Sequence, residues 1–329
     1  MIRLSIIVPF FGDNQQNLET TLVSILENRP ASCEILVVHN GEYNDPYELV
    51  DEVRFITTGE CLLDGLNVAI RSSHGEVVHL VESGMEVEPG WTDWSLVHFA
   101  DPDVAAVSPL VLSQSSPRQV VFWGVNYFAG GHRQIVGRNC RWDSERESLP
   151  KMMGPTMSAS FYRRQTLVEI GLFDRWVGQR LADIDVALKL KTAAYRNVIE
   201  PNSRLYVTDA TGSRDSHFQT GRFNERLFWR HAVHFGWMQS LCLHGLVISL
   251  SVLACLSNLA RIGGLMGRLT GLLDLSLRRF KAHAEEDLQS DPPVSIKFRP
   301  GLRVDAAHDE VQKNKPAGVP ENVLLRARR

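Results

Sequence analysis

The chain has 329 residues, 44% hydrophobic and 22% charged, with a formal net charge of −3 and a pI near 6.4. This composition excludes wholesale disorder and collagen-like or coiled-coil classes, and the lack of a basic excess excludes a dedicated nucleic-acid binder. Five scattered cysteines (Cys33, Cys61, Cys140, Cys242, Cys255) show no C-x-x-C spacing, which argues against a zinc site and fits a reducing compartment.

The opening run Leu4 to Val8 is apolar and β-branched and is followed by Pro9. It is too brief for a signal-peptide core and reads as a strand buried on both faces. From Asn17 to Glu27, Leu18, Leu22, Ile25 and Leu26 recur at helical spacing, and Arg29-Pro30 closes the segment. Glu34 to Val38 predicts a second strand, ending at His39-Asn40-Gly41; Asn44-Asp45-Pro46 then marks a loop into a short polar helix. Val53 to Thr57 supplies a third strand, Leu62 to Ser72 a helix, and Val77 to Val81 a fourth strand. Strands separated by helices imply right-handed crossovers and a mainly parallel α/β sheet.

Beyond that point the spacing predicts a helix over Asp93 to Ala100 and strands over Val104 to Val111 and Gln119 to Phe128. The Gly/Arg-rich stretch from Ala129 to Pro150 is assigned to the acceptor side. A short helix at Leu167 to Ile170 precedes Gly171-Leu172-Phe173-Asp174, Asp183 to Ala194 forms a clear helix, and Arg196 to Ile199 a final strand. A helix is expected from Asn224 to Phe235. Leu241 to Leu256 has no charged residue and, extended to Trp237–Asn258, approaches the ~20 residues that span a bilayer. The basic residues Arg261, Arg268, Arg278, Arg279 and Lys281 follow, suiting a cytoplasmic flank or an amphipathic segment on anionic lipid. Burial of the same helix against protein is the competing reading. The polar tail from Ala282 onward carries no periodicity and is expected to be partly disordered. The expected organisation is therefore a domain over 1–235, a hydrophobic helical segment over 236–281 and a polar tail over 282–329.

Five motifs fall in one order: Ser5 to Phe10, Ile35 to Gly41, Gly75 to Gly84, Pro89-Gly90-Trp91 and Gly171 to Asp174. Together the set resembles the family 2 glycosyltransferases with the GT-A fold. The resemblance implies a Rossmann-like, mostly parallel sheet flanked by helices, followed here by a C-terminal hydrophobic helix. It also implies an inverting transfer of sugar from a nucleotide-sugar donor to a glycan or lipid-linked acceptor at the cytoplasmic face of a membrane, held peripherally or by a single span.

By that resemblance Pro9, Phe10, His39, Asn40, Asp45, Asn67 and Glu82 bind the nucleotide sugar, with His39 standing where the family has an acidic base-binding residue. The family's metal-binding Asp-x-Asp is Glu82-Ser83-Gly84 here. A divalent cation, Mn or Mg, would then rely on Glu82, Glu86 and Asp209. Its catalytic base, an Asp that starts a helix, matches Asp183, with Ala182 replacing the usual Glu. The same Asp also has an ordinary role as a helix cap. These departures leave a second reading, a degenerate glycosyltransferase-like scaffold or binding protein of a surface polysaccharide pathway. A nucleotidyltransferase is a remoter third, because Phe10-Phe11-Gly12-Asp13-Asn14 lacks the basic residue of its phosphate loop.

Overall fold

The computed structural model describes residues 3–289 apart from 13, 44, 60, 144–148, 208–215, 233–235 and 258–260; the side chains of 256, 257 and 276–289 are also set aside. Met1–Phe280 forms one compact unit and Lys281–Arg329 a second. Of the second, only the end of a helix reaching Gln289 is described.

The first half follows the expected rhythm: β1 (Leu4–Phe10), α1 (Gln15–Asn28), β2 (Cys33–His39), β3 (Val53–Thr57), α2 (Leu62–Ser72) and β4 (Val77–Val81). The segment after Pro46 is a single 3₁₀ turn, Leu49–Asp51. β3, β2, β1 and β4 lie side by side and parallel. Alternate residues feed two cores, as the pleat requires. Ile6, Val8, Ile35 and Val37 pack with Leu18, Leu22 and Ile25 of α1 on one face. Ile7, Leu36 and Val38 pack with Leu63, Leu66 and Ile70 of α2 on the other. The Asn14 side chain caps α1 by accepting from the Gln16 amide at 3.0 Å.

The second half is β5 (Met85–Val87), α3 (Trp91–Val97), β6 (Val104–Ser113), β7 (Val120–Phe122), β8 (Gly124–Phe128), β9 (His132–Val136), β10 (Ala159–Arg163), α4 (Arg164–Glu169), α5 (Gln179–Thr192) and β11 (Arg196–Val207). Three helices follow: α6 (His217–His231), α7 (Trp237–Ser257) and α8 (Ile262–Gln289). The sheet order is β3-β2-β1-β4-β10-β6-β11-β5, with β7 paired to β6 and a separate β8–β9 hairpin. β10 runs antiparallel between β4 and β6, so the sheet is mixed.

Several sequence expectations shift for local reasons. The strand expected over 119–128 breaks at Gly124, whose φ of +147° turns the chain from β7 into β8. β9 emerges inside the stretch assigned to the acceptor side, and β11 runs eight residues past Ile199, through a register shift between Glu200 and Arg204. The helix expected from Asp183 begins four residues earlier, at Gln179, after Gly178 at φ +77°.

One buried group holds the sheet's centre together. His79 on β4 is fully buried and stacks on Phe161 of β10 with ring centroids 3.6 Å apart. Its Nε2 accepts from Trp91 Nε1 at 3.1 Å, so the proton sits on Nδ1 and is donated to the Ser160 carbonyl at 3.0 Å. Burial pushes its pKa down to about 3, because no countercharge offsets the cost of a charged imidazole.

Candidate functional site

In open α/β sheets ligands bind beyond the carboxyl ends of the strands, and the register brings several predicted residues to that rim. Phe10 of β1 lies opposite His39 of β2, which lies opposite Thr57 of β3. On the other side of β1, Ser83 just past β4 donates its hydroxyl to the Pro9 carbonyl at 2.7 Å. Pro9, Phe10, His39 and the Glu82-Ser83-Gly84 turn therefore share one edge.

His39 is 5% exposed and spends both ring nitrogens locally. Nδ1 accepts from the Gly41 amide at 3.2 Å, which leaves the proton on Nε2, 3.3 Å from Thr57 Oγ1. Burial lowers its pKa, so it is a neutral imidazole at physiological pH. It holds the turn after β2 in shape, while Asn40 Oδ1 accepts from the Glu42 amide at 3.3 Å in the same turn.

Around His39 the chain builds an aromatic cluster that sequence patterning did not find. Tyr43 stacks on Phe55 at 5.6 Å and meets Phe10 edge-on at 5.9 Å and His39 at 6.4 Å. The Tyr43 hydroxyl is buried without a hydrogen-bond partner among the described residues, and so is Oδ1 of Asp45. Asp45 adopts φ +40°, a left-handed conformation that costs a non-glycine residue. Burial, with the Asp45 charge adding to it, pushes the Tyr43 pKa up to about 12. An unpartnered donor beside an unpartnered acceptor on strained backbone is an arrangement that a bound polar ligand would relieve.

At the end of β4, the Gly84 amide is claimed by Thr21 Oγ1 at 2.8 Å and by the Asn17 carbonyl at 3.1 Å, with φ +90°. The position matching the second acid of Asp-x-Asp is thus a tight turn clamped on α1. Glu86 accepts from Gln114 Nε2 at 2.7 Å, and Glu88 accepts from the Tyr206 hydroxyl. Among the described residues no group of three His, Cys, Asp or Glu side chains comes together, and Asp209 lies outside the described residues. A Mg²⁺-type cation at a diphosphate needs only one or two carboxylates beside the phosphate oxygens, and of the three predicted ligands Glu86 is engaged by Gln114.

Asp183 is 3% exposed and sits in the second turn of α5, beyond the reach of a cap. Arg133 of β9 grips it with both arms of its guanidinium, Nη2 to Oδ2 at 2.6 Å and Nε to Oδ1 at 3.3 Å. Sequence reasoning missed Arg133: fifty residues separate the partners. Asn67, predicted to touch the donor, uses its amide to tie α2 to the Gly171–Asp174 loop. Its Nδ2 donates to the Phe173 carbonyl at 2.8 Å, and Oδ1 accepts from the Phe173 amide at 3.1 Å.

Two residues along α5 is Asp185, fully buried, with His231 Nε2 at 2.8 Å, Lys189 Nζ at 2.7 Å and Arg230 at 3.4 Å. Burial drives its pKa up, but the His231 hydrogen bond and the Lys189 and Arg230 charges outweigh that and hold it below the usual carboxylate value. Arg230 also binds Asp174 at 2.7 Å. A cleft of about 290 Å³ opens beside this network, lined by Asp64, Phe173, Asp174, Arg175, Lys189 and Arg230. Arg175 is paired with Asp64 at 3.2 Å and Lys189 with Asp185, so its cations are already neutralised.

No protein-family model matches the chain, and no curated protein matches it in sequence. Among solved structures it is similar to the crystal structure of GalNAc-T7 with UDP, GalNAc and Mn²⁺, at a TM-score of 0.51 and 13% identity, over 69% of this chain and 47% of that one. The chain thus spans about half the length of that structure. A second likeness is to the mannosyltransferase PcManGT from Pyrobaculum calidifontis in complex with GDP-Man and Mn²⁺, at 17% identity over 84% of this chain and 87% of that one; its TM-score of 0.47 carries no further argument. The likeness is one of fold. The architecture is the GT-A type, a mostly parallel sheet flanked by helices with a long apolar helix behind it.

Proposed function

We propose that this chain is a glycosyltransferase that moves a sugar, with inversion, from a nucleotide-sugar donor to a hydroxyl of a glycan or lipid-linked acceptor. The observation that carries the reading is the pair of buried polar atoms without a partner among the described residues, Tyr43 Oη and Asp45 Oδ1, beyond the carboxyl end of β2 of a GT-A sheet. A nucleoside offers both donors and acceptors to such a pair, and the aromatic cluster of Phe10, Tyr43 and Phe55 gives a flat group apolar support.

In the transfer step the acceptor oxygen forms a bond to the anomeric carbon as the bond to the diphosphate oxygen breaks. The electron pair leaves with the nucleoside diphosphate, and the acceptor proton passes to Asp183. Oδ1 also accepts from the Ile184 amide at 2.8 Å, but Oδ2 keeps a lone pair beyond the one that Arg133 uses, so Asp183 can accept that proton there while the guanidinium fixes its orientation. Glu82 would hold a divalent cation, which would offset the charge of the departing diphosphate, and no step is routed through one.

The scaffold reading draws on Gly84, which stands where a second metal-binding carboxylate would be and spends its amide on α1. Calorimetric titration with UDP, GDP and dTDP, each with and without Mn²⁺, separates the two. Binding that weakens in Tyr43→Phe and Glu82→Gln, with donor turnover lost in Asp183→Asn at retained binding, supports the transferase. No nucleotide binding under any condition leaves the scaffold.

A further inference from the structure

α7 is built inside out. Among the described residues its buried side chains are Ser240, His244 and Cys255, Leu241, Val247, Ile248 and Ala254 are half-buried, and Trp237, Met238, Leu243, Leu246, Leu250, Val252 and Leu253 are exposed. Trp237–Cys255 has a mean hydropathy of 1.7, yet only 17% of it is buried. A core helix of a soluble protein has the opposite distribution, with its apolar stripe inward. α8 repeats the pattern. Ile262, Met266, Leu269, Leu272 and Leu273 are exposed, whereas Gly267 and Gly271 are pressed on α6 so closely that a Cβ on Gly267 would strike the Phe218 carbonyl.

What anchors α7 to the sheet domain is polar. His244 stacks on Phe228 at 3.7 Å, with Nδ1 3.3 Å from the Gly130 carbonyl and Nε2 3.0 Å from the buried carboxylate of Glu225. Trp229 Nε1 donates to the same oxygen, Oε1, at 2.7 Å, and Arg268 of α8 binds the other, Oε2, at 3.0 Å. Asp274, the one acidic residue of α7 and α8 up to Leu275, is neutralised by Arg222 at 2.7 Å and Arg226 at 2.5 Å. Arg261 is exposed at the start of α8, and the sequence continues with Arg278, Arg279 and Lys281. Up to Leu275 the apolar face therefore carries no uncompensated acid, and in sequence it lies between Arg261 and the run Arg278, Arg279 and Lys281, ahead of the acids Glu285, Glu286 and Asp287; this is a complement of an anionic lipid surface.

We propose that α7 and α8 form a lipid-docking face that lies in the plane of an anionic bilayer, with α7 entering sideways and not crossing it. The helix of 21 residues is long enough to cross, but crossing would strip His244 and Ser240 from their partners, carry a histidine into hydrocarbon and leave Glu225 short of a neighbour. A glycosyl donor plays no part in this, so the proposal stands apart from the transferase reading.

The test is flotation of the full chain with sealed vesicles of phosphatidylcholine, with and without phosphatidylglycerol. The expected result is binding to anionic vesicles that weakens with salt and is lost in Leu246→Glu/Leu250→Glu with circular dichroism unchanged. On binding, exposed Cys242 should lose reactivity toward an impermeant maleimide while Cys140, exposed on the turn after β9, keeps it. Fluorophores at Met238→Cys, Leu246→Cys and Leu253→Cys should be quenched alike by a shallow spin-labelled lipid. Quenching of the 246 label by a deep probe, with the other two unaffected, overturns the in-plane placement. Absence of flotation with a dimer in light scattering overturns lipid as the occupant, a second copy covering the face instead. Because the depth and maleimide readings are made with the apolar face intact, a charged double variant that fails to fold leaves the test decisive.

Discussion

Replacing Arg133 by methionine removes the sole cation found on Asp183 among the described residues while keeping an unbranched apolar stem. Both carboxylate oxygens lose a donor, Oδ2 the contact at 2.6 Å and Oδ1 the contact at 3.3 Å. Asp183 is 3% exposed, so water cannot replace the guanidinium without opening the β8–β9 hairpin. Breaking one side of a buried ion pair costs roughly 3–5 kcal/mol. For a unit of this size about 1 kcal/mol moves Tm by roughly 2–4 °C, which gives a fall of roughly 6–20 °C. Restoring neutrality with Arg133→Met/Asp183→Asn should recover most of that, since no uncompensated charge then remains buried. Scanning calorimetry of the wild type, both single variants and the double variant closes the cycle. A coupling energy under about 0.5 kcal/mol, within the usual scatter for independent sites, would refute the claim that Arg133 and Asp183 act as one unit.

The remaining predictions bear on different elements. His79 is neutral in the folded protein with a pKa of about 3. The unfolded chain, titrating near 6.5, binds the proton first as pH falls; stability is complete above that value and declines by up to about 1.4 kcal/mol per pH unit between roughly 6.5 and 3. Urea titrations across that window should show a shallower slope in His79→Gln. Tyr43→Phe deletes a buried hydroxyl that has no partner among the described residues. It should leave the free protein equally stable or more stable by about 1 kcal/mol, while weakening nucleotide binding in calorimetry. Gly267→Ala should destabilise by roughly 1–3 kcal/mol because the new methyl strikes the Phe218 carbonyl. Gly245→Ala on α7, where a Cβ meets nothing within 4 Å, should stabilise by roughly 0.4–1 kcal/mol; thermal melts of the pair check both signs.

The sequence by itself determined the alternating strands and helices from Leu4 to Val81. There each apolar run or stripe reflects a neighbour met within a few tens of residues, and periodicity reports burial directly. It also brought Pro9, Phe10, His39 and Glu82 to one rim, because in a parallel sheet the end of each strand is the same side. The tertiary structure alone decided what those residues do. His39 turned out to be a neutral brace for its own loop, Asn67 a tie to Phe173, and Asp183 the partner of an arginine from a distant hairpin. Contacts over such separations leave no spacing to read. β5 and β10 were missed because strands of three and five residues, held mostly by their neighbours, carry little pattern of their own. For α7 the apolar composition was legible, but the direction of its apolar side was not. Only packing showed that Ser240 and His244 face the protein while Leu246, Leu250, Val252 and Leu253 face outward, since hydropathy records what a helix contains and not which neighbour each side meets.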